Sequence, residues 1–211
     1  MATIYEIYEG CGSDVVGVQG DQQAGETFTA ISDHNLNILK LWLIRVGSPG
    51  CTLTVKLYNV DGDHKPTGSV LASGTIATSE IGTSEEWVEI DVTEYSVDNG
   101  TEYAIVLSLD GGDGSNYISF PTNWEGDLYA DGIALFSLNS GGSWFTYTWK
   151  DASFQVLYEA PPAPVTPEAD INPDAFTGYH CFREQFQKRR KAGLIPYKQP
   201  DGTLYRDAPS G

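Results

Sequence analysis

Hard oxygen ligands gather at two points in this chain, Asp61-Gly62-Asp63 and Asp110-Gly111-Gly112-Asp113-Gly114-Ser115-Asn116. Calcium takes about six to eight oxygens from a loop flexible enough to wrap it, so Asp61, Asp63, Asp110 and Asp113 are the candidate ligands. Neither loop closes with the Glu of an EF-hand, and Asp with Gly at such spacing also builds plain turns between strands. Calcium is thus the one cofactor the residues leave open. A second chemistry belongs to Trp124, Tyr129, Tyr147 and Trp149, whose flat rings beside polar neighbours suit stacking on a pyranose. Trp124 stands in Pro121-Thr122-Asn123-Trp124-Glu125-Gly126, which reads as a loop, whereas Trp42, Trp87 and Trp144 are expected to fill the core.

Catalysis finds little footing. There is no G-x-S-x-G elbow, Walker loop, Rossmann fingerprint or H-E-x-x-H, and His34, His64 and His180 are widely spaced. A glycosidase pair of carboxylates is a spatial arrangement that 29 acidic residues leave undefined. The expectation is a protein that is not an enzyme.

The elements that must position these residues are short strands separated by Gly, Asp, Asn and Ser clusters, the pattern of an antiparallel sandwich. Strands are predicted at 4–8, 26–31, 36–46, 51–60, 69–77, 87–92, 102–109, 117–120, 133–138, 144–149 and 153–158. Between 36 and 46, Leu36, Ile38, Trp42, Ile44 and Val46 fall on one face and Leu39, Leu41 and Leu43 on the other, predicting a strand covered on both sides. Leu53, Val55 and Leu57 alternate with polar residues in the next, and Gly47-Ser48-Pro49-Gly50 between the two predicts a hairpin. In Trp144–Trp149, Phe145, Tyr147 and Trp149 share one face. Asn99-Gly100-Thr101 reads as a turn ahead of a strand.

A proline-rich run, 161–173, ends the β-patterned domain 1–160. Residues 1–173 hold 5 basic and 25 acidic side chains (net −20), and 174–211 hold 7 and 4 (net +3). The run is expected to be extended, since proline fixes φ and supplies no backbone donor. In the tail, 174–211, Asn172-Pro173-Asp174 caps a predicted short helix. Tyr179, Phe182 and Phe186 line one stripe with Phe176 at its margin, and Arg189, Arg190 and Lys191 lie in the last turn. These seven residues form a candidate partner-binding element, with docking onto the chain's own sandwich as the alternative. The overall charge of −17 opposes binding to nucleic acid or anionic membrane. No signal peptide or bilayer-spanning run is seen, so synthesis in the cytosol is expected. Cys11, Cys51 and Cys181 are read as free thiols.

The segments 26–30, 41–50, 61–69 and 100–107, continued by Asn116-Tyr117, Tyr129-Ala130-Asp131-Gly132, Ser140-Gly141-Gly142-Ser143-Trp144 and Asp151-Ala152-Ser153-Phe154, resemble a jelly-roll module of tailed-phage and other virion proteins. Similar modules of microbial surface proteins are described as choice-of-anchor or carbohydrate-binding-like domains. The resemblance covers nearly all of residues 1–160 and implies a jelly-roll β-sandwich with no catalytic residues to carry over. The role it implies is that of a virion structural protein, such as a head decoration, neck or tail accessory subunit, made in the host cytoplasm and oligomeric in its assembly. Its partners would be capsid or tail subunits. The alternative role is an attachment module for glycans.

Overall fold

The computed structural model describes residues 2–10, 12, 14–123 and 129–161, all within the unit Met1–Pro161. Twelve strands follow one another: β1 Thr3–Tyr8, β2 Asp14–Val18, β3 Gln23–Thr29, β4 His34–Val46, β5 Thr52–Val60, β6 Pro66–Ala77, β7 Glu86–Val97, β8 Glu102–Leu109, β9 Tyr117–Thr122, β10 Ala134–Ser137, β11 Phe145–Tyr147 and β12 Phe154–Tyr158. The described residues contain no α-helix, only a 3-10 turn at Thr78–Glu80. The strands form two six-stranded antiparallel sheets. One runs β1-β12-β4-β9-β2 with β7 also on β4, and the other runs β11-β10-β3-β8-β5-β6.

Alternation explains which faces meet. Leu53, Val55 and Leu57 of β5, Val88, Ile90 and Val92 of β7, and Tyr103, Ile105 and Leu107 of β8 point into one shared core with Leu39, Leu41 and Leu43 of β4. Burying a side chain of this kind contributes about 1.5–3 kcal/mol. Phe28 of one sheet touches Phe154 of the other, with ring centroids 5.9 Å apart. β8 is buried on its outer face too, where Ala104 and Val106 pack with Leu135 and Trp144.

Three expectations are corrected. β4 and β5 are not a hairpin: β4 pairs with β7, β9 and β12, β5 with β6 and β8, and Gly47–Gly50 carries the chain from one sheet to the other. Both glycines have positive φ, 65° and 64°, and a Cβ on Gly47 would lie 2.3 Å from the Ser115 carbonyl oxygen. A bulge between Leu36 and Ile38 reverses the alternation, so Leu36 joins the core row while Trp42, Ile44 and Val46 stay half-buried outside. The three tryptophans are outside the main core as well. Trp42 and Trp87 meet edge to face at 5.4 Å on the outer side of their sheet, and Trp144 covers the outer face of the other. β2 was not predicted, because Gly17 breaks a run of only five residues.

One edge of the sandwich is closed by β6 lying against β7. Ser73 N donates to Thr93 Oγ1 at 3.0 Å, and a Cβ at Gly74 would stand 2.0 Å from the Asp91 carbonyl oxygen. Since that neighbour is backbone, Gly74→Ala is expected to lower stability in urea unfolding by about 1–3 kcal/mol. Gly62→Ala, with nothing within 4 Å, is the control and should change it by less than about 0.5 kcal/mol.

Candidate functional site

The candidate calcium ligands hold their own loops. Asp61 Oδ1 accepts from Asp63 N at 2.9 Å and Lys65 N at 3.0 Å, and Asp63 pairs with Lys65 at 3.3 Å. Asp113 Oδ1 accepts from Ser115 N at 2.8 Å and Asn116 Nδ2 at 3.0 Å. Asp110 Oδ1 takes Thr52 N at 2.9 Å. The backbone N–H of Lys65 and that of Ser115 are the largest influences holding the Asp61 and Asp113 carboxyls below their usual range. Among the described residues, no three His, Cys, Asp or Glu side chains gather as a metal's ligand set.

Of the candidate sugar platforms, Tyr147 and Trp149 come together, their rings 5.7 Å apart at 81°. Tyr129 packs instead against Tyr8 and Phe154, at 5.6 and 5.3 Å. Burial drives its phenol far above the ordinary range, reinforced by the charges of Glu6, Asp131, Glu26 and Asp151, so Tyr129 remains a neutral donor. Trp124 lies outside the described residues. So do the tail residues Phe176, Tyr179, Phe182, Phe186, Arg189, Arg190 and Lys191, and the linker beyond Pro161. Cys51 is a free thiol, raised in pKa by burial and then by Asp110.

The carboxylates around Tyr129 serve backbone donors. Asp151 Oδ2 accepts from Tyr129 N at 3.1 Å, Glu26 Oε2 from Ala152 N at 2.9 Å and Glu6 Oε1 from Ile31 N at 2.9 Å. Burial raises the Glu6 pKa against the lowering effect of the Ile31 bond, with Asp131 raising it further. Beside Glu6, Tyr5 stacks flat on His34 at 4.0 Å. The His34 Nδ1 lies 3.0 Å from the Ser32 carbonyl oxygen, which can only accept, so Nδ1 carries the hydrogen and the buried Nε2 is left as a lone pair without a partner among the described residues.

At the edge away from the β6–β7 seam the sheets part around a cleft of about 420 Å³. Asp14, Val16, Phe120 and Thr122 line one wall, and Ala24, Ala134, Phe136 and Tyr147 the other. Register explains the facing: Thr122 opposes Asp14 on β2, while Tyr147 opposes Ala134, which opposes Glu26 of the core-facing row. Lys150 spans the mouth, its ammonium paired with Asp14 and 5.3 Å from the Tyr147 ring centroid. Trp149 meets the Tyr147 ring and Phe145 opposes Phe136, and each is 50% exposed. Asp14, Gln22, Thr122 and Lys150 were not among the sequence-based candidates. The one available signal was Lys150, the sole Lys or Arg between Lys65 and Arg183.

No family model matches the chain, and no curated protein matches it. Among solved structures it is similar to a CocE/NonD family hydrolase from Staphylococcus aureus, at 16% identity and a TM-score of 0.31, over 70% of this chain and 33% of that one. It is also similar to a structure of infectious bursal disease virus, Gx strain, at 12% identity and a TM-score of 0.20, over 91% and 48%. The chain thus spans about a third and about half of these two chains. The expectation that the chain is not an enzyme is corrected here, because a hydrolase stands among the structures it is similar to. At that identity and TM-score the likeness assigns no activity.

Two outcomes are expected. Burial is the main cause that lowers the His34 pKa from 6.5, so as pH falls through 6.5 the unfolded chain takes up a proton that the native chain refuses, and stability declines. Glu6 acts oppositely: its raised pKa lets the native state gain stability as pH falls toward 4.5. Melting temperature should therefore drop on acidification below about 6.5, and His34→Phe should remove that drop. Added calcium should leave the melting temperature unchanged. A rise of several degrees that Asp61→Asn abolishes would return that loop to the ion.

Proposed function

We propose that this chain is a structural protein of a virion, a jelly-roll β-sandwich displayed from the particle, with residues 161–211 docking onto capsid or tail subunits in an oligomeric assembly. The sheet order supports the jelly-roll reading, since strands far apart in sequence are neighbours: β1 beside β12, β3 beside β8, β4 beside β9. The observation that carries the role is the division of charge, net −20 over residues 1–173 against net +3 over 174–211. An acidic sandwich stays solvated and repels its copies, while an aromatic and basic segment suits an acidic, apolar-lined groove. A chain ending at Ala160 tests this. It should keep the cooperative unfolding of the full chain and fail to enter particles; incorporation at the full-length level would overturn the docking role.

One observation favours a second reading, attachment to glycans: Tyr147 and Trp149 meet at the mouth of the cleft, with Trp149 half exposed. The intact protein should then capture neutral glycans on an array, and silence across it would count against this reading.

A further inference from the structure

The glycan reading leaves open where a sugar would sit. Exposed rings on a rim supply a stacking surface but fix neither orientation nor identity, which need convergent polar groups in an enclosed space. The cleft between β2 and β9 on one side and β3, β10 and β11 on the other brings polar groups together around a half-open space. Its volume of about 420 Å³ falls in the lower part of the range of small-ligand sites. Its lining combines apolar Phe120, Ala24 and Phe136 with polar Asp14, Gln22, Thr122 and Lys150. Thr122 gives an independent sign of a ligand. It stands on the inward face of β9 with Phe120, it is only 2% exposed, and its Oγ1 has no hydrogen-bond partner among the described residues. A buried hydroxyl left unpaired opposes folding, and since its oxygen is closed to solvent, a ligand hydroxyl would satisfy it by displacing the side chains that cover it.

We propose that this cleft binds a single neutral pyranose residue, its C–H face on Tyr147 and its hydroxyls on Asp14, Gln22, Thr122 and Lys150. A carboxylate acceptor, an ammonium donor and two groups able to do both match the mixed donor and acceptor edge of a sugar. The chain's charge of −17 disfavours an acidic one. This inference rests on the glycan reading and narrows it to one place.

The test is saturation-transfer NMR on the full chain with methyl α-D-glucopyranoside, methyl α-D-mannopyranoside and methyl β-D-galactopyranoside, beside Tyr147→Ala and Thr122→Val. At least one glycoside should bind the unmodified protein. Each substitution should weaken it by about tenfold or more, while Thr122→Val melts at or above the unmodified protein's temperature because it removes an unpaired hydroxyl. A glycoside that binds both variants as tightly as the unmodified protein overturns the cleft and leaves the glycan reading standing. Glycans captured on an array with no pyranoside bound in solution do the same. Silence in both overturns the two together.

Discussion

β4 hydrogen-bonds β7 along one side from His34 to Leu43, and along the other it is shared, β12 pairing with 38–41 and β9 with 44–46. Its thirteen residues therefore tie together strands drawn from the middle and the far end of the described chain. The inner row of Leu36, Leu39, Leu41 and Leu43, none of it exposed, ends just before β9 takes over, and Ile118 and Phe120 of β9 continue the same core, so one core serves a sheet whose second side changes partner partway. A central strand with two half-length neighbours needs side-chain hydrogen bonds where those neighbours end, since backbone groups there have no ladder to join.

That junction gathers several of the buried polar groups, Glu26, Asn123, Asp151 and Ser153 among them. Where β12 begins and β9 ends, Asn123 and Asp151 bond reciprocally, Asn123 N to Asp151 O at 3.0 Å and Asp151 N to Asn123 Oδ1 at 3.3 Å. Trp42 N reaches Ser153 O at 3.2 Å, and Ser153 Oγ donates to Gly10 O at 2.6 Å. Glu26, fully buried on β3 of the facing sheet, crosses the core to accept from Ala152 N. Carboxylates here do the work of a missing strand. Burial first, and then the charge of neighbouring carboxylates, is why Tyr129 stays protonated and why the Glu6 carboxyl sits above its ordinary range. Glu6, Glu26 and Asp151 each accept a backbone N–H of the fold, from Ile31, Ala152 and Tyr129.

How much of this was legible follows from the physics of each signal. Alternation located eleven of the twelve strands, because Leu53, Val55 and Leu57, or Val88, Ile90 and Val92, report burial directly through a period of two. The same rule failed at Leu36, where one extra residue in a bulge inverts every later assignment. It could not say that β4 and β5 belong to different sheets, since a Gly-rich turn of four residues serves a hairpin or a crossing equally well. The aspartate loops were legible as turns, and their hydrogen bonds follow the Asx pattern the residue types favour. The cleft was invisible, because Asp14, Thr122 and Lys150 are distant in sequence and meet only through the pairing of β2 with β9.

The cleft itself is a consequence of how β4 distributes its partners. β9 is held to β4 by only three register pairs and carries β2 at its far side, while on the facing sheet β10 and β11 are four and three residues long. Neither sheet therefore presents a full row of inward side chains at this edge, and the two layers lack the volume to meet. Filling the gap with large apolar residues would have closed the edge. The chain instead places Asp14 and Lys150 across the mouth, so that the sheets are joined by a charged pair reaching over an open space, with Tyr147 beneath the ammonium. An edge closed by close backbone contact, as at Gly74 against Asp91, leaves no space, whereas the edge bridged by Asp14 and Lys150 keeps a cleft between its layers.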